Sequence, residues 1–222
     1  PRDKERYIEE YILDHRDRSG IVYCATRKSV ESVCKELRSV GISATRYHAG
    51  LTPEERSKNQ EDFVYDRKRV MVATNAFGMG IDKSNVSFVL HYNMPKNLEN
   101  YYQEAGRAGR DGERAECILL FSLGDVQTAK YFIQNSDDND ELTPEQAEAA
   151  ARRDRERLDV MVGYCKTTRC LRSYLLDYFG EYHTGGCGNC SNCTGEFVQT
   201  DITTEAQKIL SGVARIQKRW PG

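Results

Sequence analysis

Four features are missing from this sequence of 222 residues, and together these absences narrow the class of protein. No stretch approaches the roughly 18 apolar residues of a membrane-spanning helix, and no apolar signal segment follows the charged residues 1–6. There is no Gly-Lys pair, so a Gly-x4-Gly-Lys-[Ser/Thr] phosphate-binding loop is excluded. A strong charge of one sign is missing too, because 32 Lys and Arg stand against 34 Asp and Glu. We therefore expect an intracellular protein whose net charge alone indicates neither a nucleic-acid nor a membrane partner.

Short apolar stretches alternate with helical patterns over residues 1–135. The predicted strands are rich in β-branched and aromatic residues, and they are residues 20–24, 42–47, 69–73, 87–91 and 115–121. One predicted helix has apolar residues that recur at helical spacing, namely Val30, Val33, Cys34 and Leu37. Another starts at Thr52-Pro53-Glu54-Glu55, which supplies an N-cap, a first-turn proline and a capping-box glutamate, and a third starts near Leu98. This alternation predicts a parallel α/β sheet with right-handed crossovers.

Charged, turn-forming residues interrupt this pattern at 136–142, where we predict a linker. A second capping box, from Thr143 to Gln146, opens a long helix, and a further helix passes through Leu171 and Tyr178. Residues 201–216 form the last predicted helix. The predicted organisation is an α/β domain over 1–135, a helical domain with a cysteine loop over 143–197, and a short piece over 198–222.

Four of the eight cysteines stand at metal-ligand spacing. Cys187, Cys190 and Cys193 are separated by glycine, asparagine and serine, and glycine and asparagine accept the tight turns needed to converge on one ion. Cys170, which we expect on the preceding helix, supplies a fourth thiolate and leaves no open position for a substrate. The spacing predicts a structural zinc ion, which typically contributes on the order of 10 kcal/mol to the folding of small modules.

Other interpretations of the cysteines stay open. The cluster is also compatible with a redox pair or an iron–sulfur cluster, although Thr194 stands where a ferredoxin run would continue toward another cysteine. His183 is an alternative metal ligand. The remaining cysteines are predicted to be small buried hydrophobic residues, and they are Cys24, Cys34, Cys117 and Cys165.

A glycine-rich turn with two arginines closes the helix that starts near Leu98. In the sequence Gly-Arg-Ala-Gly-Arg of residues 106–110, Arg107 and Arg110 lie three residues apart, which suits the oxygens of a phosphate group. A solvated helix end would explain the same residues equally well.

The longer segment 102–112 resembles motif VI of superfamily-2 helicases. Its Gln103-Glu104 pair resembles the RecQ family of DNA helicases rather than the DEAD-box RNA helicases. Three further stretches agree in the expected order, and they are 22–27, similar to motif IV, 47–51, similar to the strand end and loop that follow, and 72–83, similar to motif V. The cysteine spacing is similar to the RecQ zinc module, and residues 201–210 resemble the first helix of the RecQ winged-helix domain. The resemblance covers nearly the whole chain.

The resemblance implies the C-terminal motor half and zinc module of an ATP-dependent 3′ to 5′ DNA helicase that acts in repair and recombination. The implied fold is α/β, a RecA-like parallel sheet flanked by helices, followed by a small helical zinc-binding domain and the start of a winged helix. The implied cofactors are structural Zn, with ATP and Mg in the intact enzyme. The implied partners are DNA and a first motor domain before Pro1, so the chain alone is expected to be inactive. A monomer in the bacterial cytoplasm or the eukaryotic nucleus is expected.

The resemblance also assigns roles to single residues. Arg110 is the expected arginine finger, Arg107 its phosphate-binding or coupling partner, and Gln103 a link between nucleotide state and DNA. The expected nucleotide-binding residues are Gly78, Gly80 and Asp82, and the expected DNA-binding residues, all near predicted strand ends, are Arg27, His48, Thr74 and Asn75. Without the resemblance, motif V is also compatible with a strand-to-helix turn, and a lone histidine such as His48 is more often a structural residue.

Two other functions compete with a DNA helicase. A zinc-containing module that binds DNA or protein without motor function would need the same cysteines, and basic residues such as Lys166, Arg169 and Arg172 could contact phosphates or simply be solvated. An RNA helicase is the other candidate, although the residues before Gly106 are of the RecQ type.

Overall fold

A computed structural model describes residues 3–78, 83–135, 143–195 and 202–219. The strands in these ranges are β1 (Gly20–Tyr23), β2 (Ala44–Tyr47), β3 (Val70–Ala73), β4 (Phe88–His91) and β5 (Glu116–Leu119). The helices are α1 (Lys4–Asp14), α2 (Arg27–Ser39), α3 (Pro53–Val64), α4 (Leu98–Ala105), α5 (Leu123–Gln134), α6 (Pro144–Lys166), α7 (Leu171–Tyr178), α8 (Ser191–Thr194) and α9 (Thr203–Arg219). None of the helices described is both long enough and apolar enough to cross a bilayer.

The strands form one parallel sheet in the order β2-β3-β1-β4-β5. Tyr23 pairs with both Ala73 and His91, so the three central strands end at one level. After β1 the chain continues to β2 at one edge of the sheet, and after β4 it continues to β5 at the opposite edge. The direction of winding therefore reverses between β1 and β4. Ligands bind at such a reversal, outside the carboxyl ends of the strands, in open α/β sheets. The predicted parallel α/β sheet is confirmed.

Hydrophobic side chains cover both faces of the sheet. Successive strand residues point to opposite faces, so neighbouring residues of one strand belong to different layers of the core. One layer includes Ile8, Ile12, Val22, Val72 and Leu90, and the other includes Ile21, Phe63, Met71, Phe77 and Val89. Burying each large apolar side chain contributes about 1.5–3 kcal/mol, so these two layers are the main source of stability for the sheet.

Both predicted capping boxes are present. The Glu55 amide donates to the Thr52 hydroxyl at 3.2 Å, and the Thr52 amide donates to the Glu55 carboxylate at 3.2 Å. At the start of α6, the Thr143 and Gln146 backbone amides donate to each other's side chains at 3.0 and 3.3 Å. Each reciprocal pair satisfies two backbone donors that a helix start would otherwise leave free.

Two helices of the sheet domain, α1 and α5, were not among the sequence predictions. α1 lies in a highly charged stretch and buries Ile8 and Ile12, while Asp3 caps it by accepting from a backbone amide. α5 begins with a third capping box, formed by Ser122 and Asp125. The aspartate in this box replaces the usual glutamate or glutamine, so the local signal was weaker than at Thr52.

Lys4 links α1 to the ends of two strands and to the start of α5. Its Nζ atom donates to the carbonyl oxygens of Tyr92 and Leu120 and to the Asp125 carboxylate, each at 2.8 Å. The Lys4 and Asp125 side chains are only 14% and 7% exposed, so this ion pair is shielded from water. One ammonium group thereby joins the ends of β4 and β5 to the start of α5.

Two of the four cysteines outside the cluster are buried as predicted, and two are not. Cys24 and Cys34 are 5% and 1% exposed and lie in the core. Cys117 is exposed and Cys165 is half-buried, so the prediction of burial was wrong for both. Cys117 lies on β5, an edge strand with a neighbour on one side only, and an edge strand has less cover than the strands at the centre.

The chain divides into two compact units, residues 1–166 and 167–222. Within the first unit, α6 packs against α4 and α5 and buries Leu158, Met161 and Tyr164. The Tyr164 hydroxyl donates to the Tyr101 hydroxyl of α4 at 3.3 Å. The sequence-based domain limits, with α6 inside the predicted domain 143–197, stay predictions.

Candidate functional sites

The DNA-binding residues predicted for the first unit follow the carboxyl ends of its strands. Arg27 begins α2 after β1, His48 directly follows β2, and Thr74 and Asn75 directly follow β3. Because the strands are parallel, all these residues lie on one edge of the sheet, the edge at which ligands bind in this class of fold.

Arg27 and His48 meet at Gly50. A Cβ atom on Gly50 would lie 3.2 Å from Arg27 Cδ and 3.2 Å from His48 Nδ1. His48 is 5% exposed; its Nε2 lies 2.9 Å from a Glu31 carboxylate oxygen, and its Nδ1 accepts from the Gly50 amide at 3.2 Å. Both ring nitrogens are therefore engaged within the chain, which favours the structural interpretation of His48, whereas Arg27 is exposed. Contact of either residue with DNA stays a prediction.

Glu31 organises this end of the sheet. Its carboxylate also accepts from Arg46 Nε at 2.7 Å. Partial burial opposes ionisation of this carboxyl group, but hydrogen bonds from His48 and Arg46 lower the pKa of Glu31. A carboxylate that stays ionised holds both partners, and it thereby fixes the position of the His48 ring beside Arg27.

Thr74 and Asn75 differ in exposure. Thr74 is 8% exposed, and its amide donates to the Tyr47 carbonyl at 3.1 Å, so its backbone continues the contact between β3 and β2. Asn75 is exposed and lines a cavity of about 70 Å³ between the carboxyl ends of β1 and β4, where the winding reverses. The other polar residues that line this cavity include His91, Asn93, Lys96, Asn100 and Glu104.

Gly78 is the position at which motifs V and VI touch. A Cβ atom on Gly78 would lie 2.2 Å from Nη2 of Arg107, so any larger residue would displace the guanidinium group. The Tyr23 hydroxyl donates to the Phe77 carbonyl at 3.1 Å, next to this contact. Burial raises the pKa of Tyr23, and the nearby Arg107 opposes only part of that rise. Gly80 and Asp82, the other two predicted nucleotide-binding residues, lie outside the described residues.

The turn after α4 presents its two arginines differently. Arg107 is half-buried, and its Nε has no hydrogen-bond partner among the described residues, whereas Arg110 is exposed and its Nε donates to the Gly106 carbonyl at 3.3 Å. Gly109 has a φ of +71°, which glycine adopts without strain, and its amide donates to the Val86 carbonyl at 2.9 Å. The exposed Gln103 lies on α4, four residues before Arg107.

A buried pair next to this turn was missed in the sequence. His91 ends β4 and its Nε2 lies 2.9 Å from the Glu104 carboxylate of α4. The available signal was a histidine at the end of the apolar strand 87–91, but a strand residue and a helix residue 13 positions apart give no periodic pattern.

The second unit brings its four predicted metal ligands together. The sulfur atoms of Cys170, Cys187, Cys190 and Cys193 all lie within 4.8 Å of one another, and the Cys170 and Cys190 sulfurs are 3.9 Å apart. Four sulfurs at about 2.3 Å from one zinc ion in tetrahedral geometry would be about 3.8 Å apart. The donor set and its spacing therefore fit a single zinc ion better than a cluster of several iron atoms.

Backbone amides surround these sulfur atoms. Cys170 is the N-cap of α7 rather than a residue within a helix, and its sulfur accepts from the amides of Ser173 and Cys187 at 3.5 and 3.4 Å. The Cys190 sulfur accepts from the Leu171 amide at 3.4 Å. Amide donors stabilise the thiolate form, which is the form that binds a metal ion.

The pKa values of the cluster reflect this arrangement. Hydrogen bonds from Ser173 lower the pKa of Cys170 to about 5. Burial opposes ionisation of Cys190, but the Leu171 amide and neighbouring cysteines lower its pKa. The Gly188 amide favours the Cys193 thiolate, yet hydrogen bonds that the Cys193 thiol donates to Cys190 and Cys170 raise its pKa to about 11. A divalent ion bound by the four sulfur atoms would favour the thiolate form of every one of them.

Comparison with known proteins accounts for both units. Residues 3–112 match the family model described as helicase conserved C-terminal domain, and residues 123–194 match the model described as RecQ zinc-binding. The chain is 45% identical over 98% of its length to the ATP-dependent DNA helicase RecQ of Bacillus subtilis. The chain belongs to the RecQ family. The match to the zinc-binding model includes all four clustered cysteines.

Other RecQ-family relatives are similar over nearly as much of the chain. The ATP-dependent DNA helicase RecQ of Haemophilus influenzae is 37% identical over 94% of the chain, and the ATP-dependent helicase SGS1 of Saccharomyces cerevisiae is 38% identical over 91%. The chain spans 35% of the length of the Bacillus relative, 32% of the Haemophilus relative and 14% of the yeast relative.

Two solved structures illustrate the fold that this chain shares with known proteins. A DEAD box protein of Methanococcus jannaschii has a TM-score of 0.51 and 24% identity, with 59% of this chain and 36% of that chain covered. S. cerevisiae Dbp5 bound to RNA and ADP BeF3 has a TM-score of 0.51 and 23% identity, with 70% and 42% covered. At these identities the likeness establishes the RecA-like helicase fold alone.

Proposed function

We propose that the whole protein is an ATP-dependent DNA helicase and that this chain supplies its second motor domain and zinc module. The observation that carries the proposal is the contact of Arg107 with Gly78, which joins the arginine-bearing turn after α4 to the glycine turn after β3. The names of the bacterial relatives support the same activity. We propose 3′ to 5′ movement on single-stranded DNA and a role in repair and recombination, as the family resemblance implies.

The two arginines are proposed to act on the nucleotide in different ways. Arg110 is exposed and can reach a phosphate group held by a neighbouring domain, so we assign it as the arginine finger, which is worth about 10³–10⁵ in rate. Arg107 is assigned as the coupling partner because its guanidinium group already lies against Gly78. Gln103, exposed on α4, is assigned to link nucleotide state to DNA.

ATP and Mg²⁺ are proposed to bind between this chain and the first motor domain of the same protein. That domain would supply the phosphate-binding loop, which this sequence lacks, and Mg²⁺ would neutralise phosphate charge during transfer. This chain would contribute the two arginines and the backbone at Gly78. The assignments of Gly80 and Asp82 to the nucleotide rest on the family resemblance.

DNA is proposed to cross the carboxyl edge of the sheet. Arg27 is exposed there and suits a phosphate group, and Asn75 is an exposed donor at the end of β3. Thr74 and His48 are nearly buried, so we assign them to the shape of this edge as well as to DNA contact. We propose that the protein acts as a monomer, in the bacterial cytoplasm or the eukaryotic nucleus.

Zinc is proposed to bind the four clustered cysteines as a structural ion. Four thiolates fill a tetrahedral site and leave no position for a substrate, and amide donors already support the thiolate form. We therefore assign zinc to the folding of the second unit rather than to chemistry.

The decisive experiment is to measure ATP hydrolysis by the whole protein with and without single-stranded DNA. We expect stimulation by DNA, and we expect Arg110→Ala to lower kcat by about 10³-fold or more with little change in the KM for ATP. Arg152→Ala, at an exposed arginine of α6, is the matched control and should change neither constant.

Two outcomes would contradict the proposal. Absence of DNA stimulation in the wild type would exclude a DNA motor, and full activity of Arg110→Ala would leave a zinc-containing module that binds DNA or protein without motor function. A preference for RNA over DNA in competition would instead indicate an RNA helicase.

A further inference from the structure

A buried histidine contacts the helix that carries the motif VI arginines. The side chain of His91 is fully buried at the end of β4, and Glu104 is 8% exposed on α4. Their Nε2 and carboxylate oxygen lie 2.9 Å apart. His91 Nδ1 is buried without a hydrogen-bond partner among the described residues, so the contact with Glu104 is the hydrogen bond that its ring makes there. Loss of that bond would leave a buried carboxylate unpaired, and the pair therefore fixes the relative position of the two elements.

Two tyrosine rings set the orientation of the His91 ring. Tyr23 stacks on it at 5.5 Å between centroids with an interplanar angle of 21°, and Tyr101 packs against it at 5.1 Å and 51°. Because both tyrosine rings contact the imidazole ring, it has little freedom to rotate. The direction in which Nε2 points is therefore set by β1 and α4 and not by solvent.

Glu104 leads directly into the turn that bears the arginines. The Arg107 amide donates to the Glu104 carbonyl at 3.3 Å, and the Gly109 amide donates to the Val86 carbonyl at 2.9 Å. Two contacts thus hold the turn against the sheet. In one, the Glu104 side chain contacts His91, and in the other, the Gly109 amide donates to Val86, which lies two residues before β4. Arg107 lies between these points, and Arg110 follows the second.

We infer that His91 is a positioning residue for Arg107 and Arg110 and that it acts through the Glu104 carboxylate. This inference rests on the proposed ATPase activity, because it concerns how the arginines reach the phosphate. A displacement of about 1 Å in such a group can lower a catalytic rate by about 10²-fold without affecting substrate binding.

The first test is His91→Phe in the whole protein. Phenylalanine keeps a ring between Tyr23 and Tyr101, although a somewhat larger one, and removes the hydrogen bond to Glu104. We expect the kcat of DNA-stimulated ATP hydrolysis to fall by about 10²-fold while the KM for ATP stays within about twofold, since the arginines act in the transition state.

A second pair of variants tests the position of the donor. Glutamine places its amide nitrogen near the Nε2 position of histidine, whereas asparagine places it near Nδ1. We expect His91→Gln to retain at least about tenfold more kcat than His91→Asn. These two variants also decide the question if His91→Phe fails to fold, and equal kcat values for both would overturn the inference.

The matched control is His15→Phe. His15 also stacks on a tyrosine, at 4.4 Å from Tyr11, and its Nδ1 lies 2.8 Å from the Tyr11 carbonyl, but it lies after α1, far in the chain from motif VI. We expect unchanged kcat in this variant. A wild type without ATPase would refute the proposed function, whereas an active wild type with an equally active His91→Phe, or an equal loss in both Phe variants, would refute only the role of His91.

Discussion

In the first unit, hydrophobic side chains are buried on both faces of the sheet, whereas in residues 167–195 and 202–215 the single buried residue among those described is Ser173. Ser173 itself is polar, and its hydroxyl donates to the Gly185 carbonyl at 2.9 Å in the cysteine loop. The two units therefore obtain their stability from different sources. The sheet is stabilised by apolar burial, whereas for the cysteine loop we propose that a bound metal ion takes the place of a core.

The contrast also explains how glycine is used in the second unit. Gly185 and Gly188 have φ values of +114° and +63°, which let the loop bring three cysteines to one point. A loop bent in this way gives up conformational freedom without burying apolar surface in exchange. Binding of one metal ion by the converging thiolates would offset this loss of conformational freedom.

The largest expected effect is that of Cys190→Ser. We expect zinc to fall from about one ion per chain to nearly none, and backbone amides of 167–195 to lose protection from hydrogen exchange, because metal binding supplies on the order of 10 kcal/mol to such modules. The sheet should keep its protection. Zinc by mass spectrometry and exchange by peptide would measure both, with Cys117→Ser at an exposed cysteine as control. A metal-free chain that is fully folded would refute the comparison.

The next effect in size is that of Leu90→Ala in the centre of the sheet. Leu90 is 0% exposed, so we expect a loss of about 2–5 kcal/mol in the free energy of unfolding, with no change in zinc content. Leu123→Ala, at a leucine that is 68% exposed, should stay within about 0.5 kcal/mol. Urea titration would give both values. Zinc loss in Leu90→Ala would mean that the two sources of stability are not separate.

The smallest expected effect is that of Glu31→Gln. This variant tests how much the ion pairs at the sheet edge add to the stability that apolar burial provides. Since the pKa of Glu31 is lowered in the folded chain, its stabilising contribution is present above the pKa of the unfolded chain and is lost as pH falls through the folded pKa. The Glu31 side chain is 48% exposed, so we expect less than about 1 kcal/mol at pH 7.

Urea midpoints of the wild type and Glu31→Gln would check this prediction. They should differ slightly at neutral pH and converge in acid, below the folded pKa of Glu31. A difference that grows as the pH falls would have the wrong sign for a carboxyl group with a lowered pKa.

The features predictable from the sequence were those with local signals. The capping box at Thr52 and Glu55 lies within one helical turn, and the cysteine loop from Cys187 to Cys193 lies within seven residues. The three central strands, β1, β3 and β4, were also identified, because a strand buried on both faces is a continuous apolar run. Such signals need no knowledge of which elements meet in space.

The features that escaped prediction depend on contacts between distant elements. The pairing of His91 with Glu104 joins a strand to a helix, and the contact of Arg107 with Gly78 joins two turns 29 residues apart, so neither follows from periodicity. The exposure of Cys117 depends on the place of β5 at the edge of the sheet, which the strand order decides. The assignments of Gly80 and Asp82 stay predictions.

The three hydrogen bonds of Lys4 have a consequence for the order in which the chain folds. Its acceptors on Tyr92, Leu120 and Asp125 are 88, 116 and 121 residues away in the chain. Contacts this distant carry a large loop-closure cost, so they form late. During synthesis on the ribosome, Lys4 could not complete these three hydrogen bonds until residue 125 had emerged, and until then α1 would lack this attachment to the sheet.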